Sequence, residues 1–156
     1  MRKEILIELI QKMPGISYNE IVRDTGLSNG VISHYLIKMI DSGEIEKEGV
    51  MRGKYFMRNI PKKDRILIML LRNKTNNNIL KYLIENSESR KDITAKDIVK
   101  KVQKSSSTIS VSLKILQKNN VIERVIMNKS SKLTNDIAYR ILNDNRIIKQ
   151  FKKYNL

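Results

Sequence analysis

The sequence predicts a mainly α-helical chain with small β-hairpins, built as two copies of one unit joined by a linker helix. Three observations predict it. First, Glu20 to Ile45 and Asp97 to Ile122 superpose without a gap, pairing Ile21 with Ile98, Val22 with Val99, Ile32 with Ile109, Leu36 with Leu113, Met39 with Leu116 and Ile45 with Ile122. Second, each copy carries two short apolar-periodic segments separated by a turn and closed by a residue that tolerates left-handed backbone. Third, a run of strand formers follows each second segment.

The first helix is expected over 2–12, with Ile5, Leu6, Leu9, Ile10 and Met13 at helical spacing and Pro14-Gly15 as its stop. Ser17 and Glu20, three apart, form a capping-box pattern that starts the next helix. Gly26 supplies the tight turn, and Ser28 takes the N-cap position of a helix over roughly 29–41, its hydroxyl able to accept from a free N–H. Gly43 ends that helix. Two short strands near 44–49 and 54–58 flank the turn Gly49 to Gly53 and make the first hairpin.

Pro61 opens the linker, where Ile66, Leu67, Met69, Leu70 and Leu71 make a strongly apolar helix, ended by the polar run Asn73 to Asn78. Ile79, Leu80, Leu83 and Ile84 start the second copy. Thr94 caps a helix at 95–102, a further helix covers 106–118, and Asn120 replaces Gly43 as its left-handed terminator. Val121 to Met127 is expected as a strand, Asn128 to Ser131 as a turn and Lys132-Leu133 as a short return strand. From Thr134 a helical pattern is read through Ile137, Ile141, Leu142, Ile147, Ile148 and Phe151. The resulting partition is 1–60, a linker at 61–74, 75–134 and a helical tail at 135–156.

The second helix of each pair begins with small polar residues that no core requires. Such residues permit close approach to a DNA major groove and can bond phosphates or base edges. Ser28, Asn29, Ser33, His34 and Lys38 in copy one, and Ser105, Ser106, Ser107, Thr108, Ser110 and Lys114 in copy two, are therefore the expected DNA contacts. Arg52 and Lys54 in the first hairpin, with Lys129 and Lys132 in the second, are placed to reach phosphate or the minor groove. The competing reading of the serines is capping and solubility.

Charge agrees with a polyanionic partner. The net charge is +15, unevenly placed: residues 1–60 carry 9 Lys+Arg against 8 Asp+Glu, whereas 91–156 carry 15 against 5. With no Cys and one His, disulfides, thiolate metal sites and histidine-rich metal sites are excluded. No nucleotide loop, catalytic triad or metal-ligand cluster is visible, so neither catalytic residues nor cofactors are expected. The longest continuous apolar run, Ile66 to Leu71, is far short of the ~20 residues that span a bilayer, and Glu4 and Glu8 interrupt any signal-like start. A soluble, cytoplasmic protein is expected.

Ile21-Val22, Gly26-Leu27-Ser28, Val31-Ile32-Ser33, Leu36, Met39, Gly43 and Ile45 resemble the tandem winged-helix transcriptional regulators found mostly in archaea, whose units are similar to ArsR- and MarR-type repressors. Leu71-Arg72-Asn73 with Thr75 and Ile79-Leu80, and Lys132-Leu133-Thr134, fit the same pattern. Copy two departs from it, with Gln103-Lys104 where Gly-Leu is usual, so it either reads bases or only holds phosphates. The resemblance implies two tandem winged helix-turn-helix domains and a sequence-specific regulator of transcription. Metal sensing would need a set of Cys or His ligands, and this chain has no Cys and a single His.

A second function remains open on sequence grounds: winged helices also serve as protein-docking modules, and fold alone does not settle function. A homodimer through 135–153 and the linker helix is expected from the apolar stripe Ile66, Leu67, Leu70, Ile137, Ile141, Ile148 and Phe151. The tail packing back onto the chain's own linker helix is the alternative.

Overall fold

Helices α1 (Arg2–Lys12), α2 (Tyr18–Thr25) and α3 (Asn29–Asp41) open the computed structural model, which describes residues 1–89, 91–127, 136–154 and 156. The chain is mainly helical with small antiparallel sheets, and it divides into two compact units. One comprises 1–69 with 150–156, the other 70–149.

In the first unit, Leu6 and Ile10 of α1, Ile21 of α2, and Ile32, Leu36 and Met39 of α3 share one buried core. Pro14-Gly15 turns the chain out of α1, and the Gly15 amide donates to the Tyr55 carbonyl at 2.8 Å. That bond sets a short strand, β1 (Ile16–Ser17), against the hairpin of β2 (Ile45–Glu48) and β3 (Lys54–Met57), in the order β1-β3-β2. No sequence pattern pointed to β1, because a two-residue strand has no period to read. Ser17 caps α2 in a full capping box with Glu20. Gly26 ends α2 at φ 64, where a side chain would crowd the following carbonyl. The Gly43 and Glu44 amides donate back to Ile40 and Met39, the paired bonds of a helix stop through a left-handed residue.

Helix α4 (Lys62–Arg72) begins after Pro61 and buries Leu67, Ile68 and Leu71. Its Arg65 is only 3 % exposed. The guanidinium is fully engaged, bonding Glu46, Glu48 at 2.9 Å, the Ile60 carbonyl at 2.8 Å and the Arg58 carbonyl at 3.2 Å, and lying over the Phe56 ring. In the sequence this residue is no more than a charge beside an apolar run. The structure makes it the bolt between the helix and the base of the first hairpin.

The second unit repeats these devices at a constant sequence separation, that of Ile21 from Ile98. Helix α5 (Lys74–Glu85) starts directly after Asn73, whose side chain accepts from the Asn76 amide at 3.0 Å. The run 74–78, read as a connection, is thus the first turn of a helix, because the cap at Asn73 satisfies its free amide. Helices α6 (Ala95–Val102) and α7 (Ser106–Lys118) follow, with Thr94 and Asp97 in a second capping box. Ile98, Ile109, Leu113 and Leu116 are buried. Gln103 takes the left-handed position of Gly26, at φ 58, so the departure from Gly leaves the turn intact. Asn120, at φ 56, takes that of Gly43, with the same paired bonds from Asn120 and Val121 to Gln117 and Leu116.

The second hairpin pairs β4 (Ile122–Met127) with β5 (Asp136–Ile141) in the register Ile122↔Ile141, Arg124↔Tyr139. Ile93 bridges Tyr139 as Ile16 bridges Tyr55. The expected helix from Thr134 is therefore corrected over 136–141. Ile137 and Ile141 lie four apart, which places them on one face of either a helix or a strand; pairing with β4 decided for the strand. The expected turn at 128–131 and return strand at 132–133 lie outside the described residues. The helix of the tail is α8 (Asp144–Lys153).

Much of the apolar stripe expected to drive dimerisation is covered within the chain. Leu67 is buried, Leu70, Ile137, Ile141, Ile148 and Phe151 are half-buried, and Ile66 is 49 % exposed. Tyr154 and Leu156 pack against Phe56, Ile60 and Ile68, so the chain end returns to the linker helix.

Candidate nucleic-acid interface

The outward face of α3 is set by what its inward face must bury. With Ile32, Leu36 and Met39 inward, Asn29, Gly30, His34, Ile37 and Lys38 are exposed, and Ser33 is half-exposed at the edge. Ser28 occupies the N-cap position but makes no side-chain cap bond, so its hydroxyl is not the cap expected of it. Tyr18, the first residue of α2, reaches across instead. Its hydroxyl donates to the Asn29 carbonyl at 3.0 Å and lies 3.0 Å from the Ser33 hydroxyl. This bridge fixes α2 against the start of α3 and orients two expected contact residues. His34 stands edge-on to Tyr35, ring centres 5.3 Å apart, with no core role.

Beside α3 the first hairpin forms one wall of a groove of about 810 Å³, lined by α2 residues and by Lys47, Arg52 and Lys54 among others. Arg52 is exposed near the hairpin tip, next to Val50 and Met51, which are 92 % and 96 % exposed. Lys54 is half-buried and faces the Glu20 carboxylate at 3.9 Å, so part of its charge is already answered within the chain. Lys47, which the sequence reading passed over, lines the same groove.

The face of α7 is built likewise. Ser105 caps the helix, accepting from the Thr108 amide at 3.2 Å, and its hydroxyl also meets those of Ser107 and Thr108. Ser106, Ser110, Val111 and Lys114 are exposed. The expected residues of α7 are exposed, and their work is divided: Ser105 and Thr108 hold the helix start, while Ser106, Ser110 and Lys114 face outward. Lys129 and Lys132 lie outside the described residues. Sequence reasoning missed Lys96, Lys100 and Arg124, which line a cavity beside α7. A sequence signal existed for Arg124 alone, which coincides with Lys47 at the offset of the repeat; strand pairing then puts Arg124 opposite Tyr139, as Lys47 is opposite Tyr55.

Among the described residues, no cluster of three or more His, Cys, Asp or Glu could hold a metal ion. No helix there is long and apolar enough to cross a membrane.

A helix pair with a capped turn, a polar outward face on the second helix and a hairpin beside it define a winged helix-turn-helix. Residues 2–46 match the family model described as winged helix-turn-helix DNA-binding, so the first unit carries a DNA-binding domain of that class. No match was found among curated proteins. Among solved structures, the chain is similar to the DIP2311 protein of Corynebacterium diphtheriae, at 13 % identity and a TM-score of 0.33. The alignment covers 90 % of this chain but 26 % of that one, and a likeness of this size carries no functional weight.

Proposed function

We propose that the chain is a sequence-specific, duplex-DNA-binding regulator of transcription, built of two tandem winged helix-turn-helix units of ArsR/MarR-like type. One observation carries the reading: the segment matching the DNA-binding family model presents Asn29, Ser33, His34 and Lys38 on the face that its buried residues leave free. The repeat of caps, turns and strand register in the second unit supports extending it to α7. In this reading Lys and Arg supply most of the affinity through phosphates, and Asn29, Ser33 and His34 supply specificity. The protein acts in the cytoplasm, without catalysis or cofactor. Pairing of two copies through the linker and C-terminal helices belongs to the same reading, supported now chiefly by exposed Ile66; sedimentation of the full chain at micromolar concentration tests it, a monomer ruling it out.

The test of DNA binding is its salt dependence. Affinity for duplex DNA should fall steeply and linearly on logarithmic axes as salt rises, because each neutralised phosphate releases a counterion. A flat line, or no binding at low salt, refutes it. Replacing Ser33 and His34 together by Ala should relax the preferred sequence at a cost of roughly 1–3 kcal/mol for each base-reading side chain removed. Lys129 and Lys132 replacements should instead weaken all sequences alike.

A second reading has its own support. Ile37 is 58 % exposed on the outward face of α3, and the first 60 residues are nearly neutral. Both features suit a protein-docking surface, whose binding barely responds to salt.

A further inference from the structure

We propose that the apolar tip of the first hairpin is a wedge that opens a base-pair step of duplex DNA from the minor groove and bends the duplex. This deepens the DNA reading above and rests on it. The tip is the loop Gly49 to Gly53, closed by the strand pair Glu48↔Lys54. At its apex Val50 and Met51 are 92 % and 96 % exposed. After Met1, the next most exposed large apolar side chain among the described residues is Ile126, at 61 %. Hairpin tips ordinarily carry Gly, Asn, Asp, Ser or Pro, which favour turns; Val and Met do not. A residue choice that breaks a local rule and buries nothing within the fold points to a partner.

The surroundings of the tip select the partner. No residue of the loop is acidic. The two carboxylates of β2, Glu46 and Glu48, are both bonded to Arg65 at the hairpin base, Glu48 at 2.9 Å. Arg52 is exposed in the loop itself. The aliphatic stem of Lys47 lies where a Cβ on Gly53 would stand, so a second cationic side chain is packed against the loop. Two apolar side chains flanked by cations have the chemistry of a minor-groove wedge. The cations hold phosphates, while the apolar pair replaces base stacking at the opened step. The loop belongs to the unit whose residues 2–46 match the DNA-binding family model, so wedge and α3 act on one duplex. A lipid surface suits it less well, because binding there scales with a broad buried apolar face. The steps that open at least cost are the flexible pyrimidine–purine ones, and A-tracts resist.

The test closes a nicked plasmid with ligase in the presence of the full chain and reads the linking number once the protein is removed. A step opened from the minor groove loses twist, so the wild type should leave the circles negatively supercoiled in proportion to the protein bound. Val50→Ser with Met51→Ser should remove most of that shift. The same pair should leave the slope of log affinity against log salt unchanged, because no cation is lost. Val50→Ile with Met51→Leu, still apolar, should keep the shift. A second measurement compares alternating poly(dA-dT) with poly(dA)·poly(dT), equal in composition and charge. The wild type should bind the alternating duplex roughly tenfold tighter, and the serine pair should lose that preference. Plasmid binding with a steep salt slope and an unchanged linking number overturns the wedge and leaves the DNA reading standing. A serine pair that keeps the shift, or keeps the preference, overturns it equally. No binding of plasmid at low salt overturns both. If phosphatidylserine vesicles then capture the wild type and not the serine pair, the tip belongs to a lipid surface instead.

Discussion

Tyr18 and Ala95 occupy one place in two copies of the same skeleton, and most of what distinguishes the copies follows from a few such exchanges. The first unit is tied by side chains at two places: Tyr18 to Asn29 and Ser33 of α3, and Arg65 of α4 to the hairpin base. The second has Ala95 at the first of these places, with no side chain long enough to bridge α6 and α7. On the outward face, Ile37-Lys38 in one copy become Lys114-Ile115 in the other, so each helix keeps one cation and one apolar residue but in reversed order. The turns show the opposite lesson. Gly26 and Gln103, and Gly43 and Asn120, differ in residue but share left-handed backbone. Turn geometry was held constant while side-chain surfaces diverged, as expected if the skeleton is common and the partners are not.

The largest expected effect tests the side-chain tie of the first unit. Arg65→Ala removes the cation from two carboxylates and two carbonyls at a nearly closed site. Breaking a buried pair costs about 3–5 kcal/mol, and the lower end applies because Glu46 and Glu48 are partly exposed. Denaturant unfolding should show a loss of about 3 kcal/mol; a loss within error would mean the hairpin base does not depend on Arg65.

The turns come next. Gln103→Gly should stabilise by about 1 kcal/mol, since Gly adopts the left-handed region without the Cβ penalty. Asn120→Gly should gain less, because Asn tolerates that region. Equal gains at both sites would contradict this ordering. Of the same order is the difference between the caps. Ser105→Ala should cost about 1 kcal/mol, because its hydroxyl accepts from Thr108, whereas Ser28→Ala should cost almost nothing, having no such bond to lose. Paired melting curves separate them.

The smallest effect is pH dependence. The Arg65 hydrogen bond holds the Glu46 carboxyl below its ordinary value, and the Thr94 amide does the same for Asp97 in the second unit. Both groups have depressed folded-state values. Their stabilisation is therefore present above the unfolded-chain value, about pH 4, and is lost as pH falls through the lower folded value. Glu46→Gln should flatten the acid limb of the melting temperature against pH; an unchanged limb would show that the Arg65 bond does not hold that carboxyl down.

Signals carried by neighbouring residues were legible in advance. The bounds of α3, α6 and α7, the capping box of Ser17, the cap at Thr94, and the left-handed stops at Gly43 and Asn120 all depend on groups within a few residues of each other. The outward faces of α3 and α7 were legible for the same reason, since helical period alone separates Ile32 from His34 and Ile109 from Ser110. What the sequence could not settle needed partners distant along the chain. Ile137 and Ile141 became a strand because β4 offered its edge. Arg65 found Glu46 and Glu48 only once α4 lay against the hairpin. Tyr18 reads as an ordinary first residue of a helix until folding brings Ser33 to its hydroxyl, and Ala95 reads as a good helix former until the same packing leaves a cavity beside it. Local periodicity and capping are intrinsic to a segment, whereas strand choice, a buried charge and an empty space each depend on which distant surfaces the fold brings together.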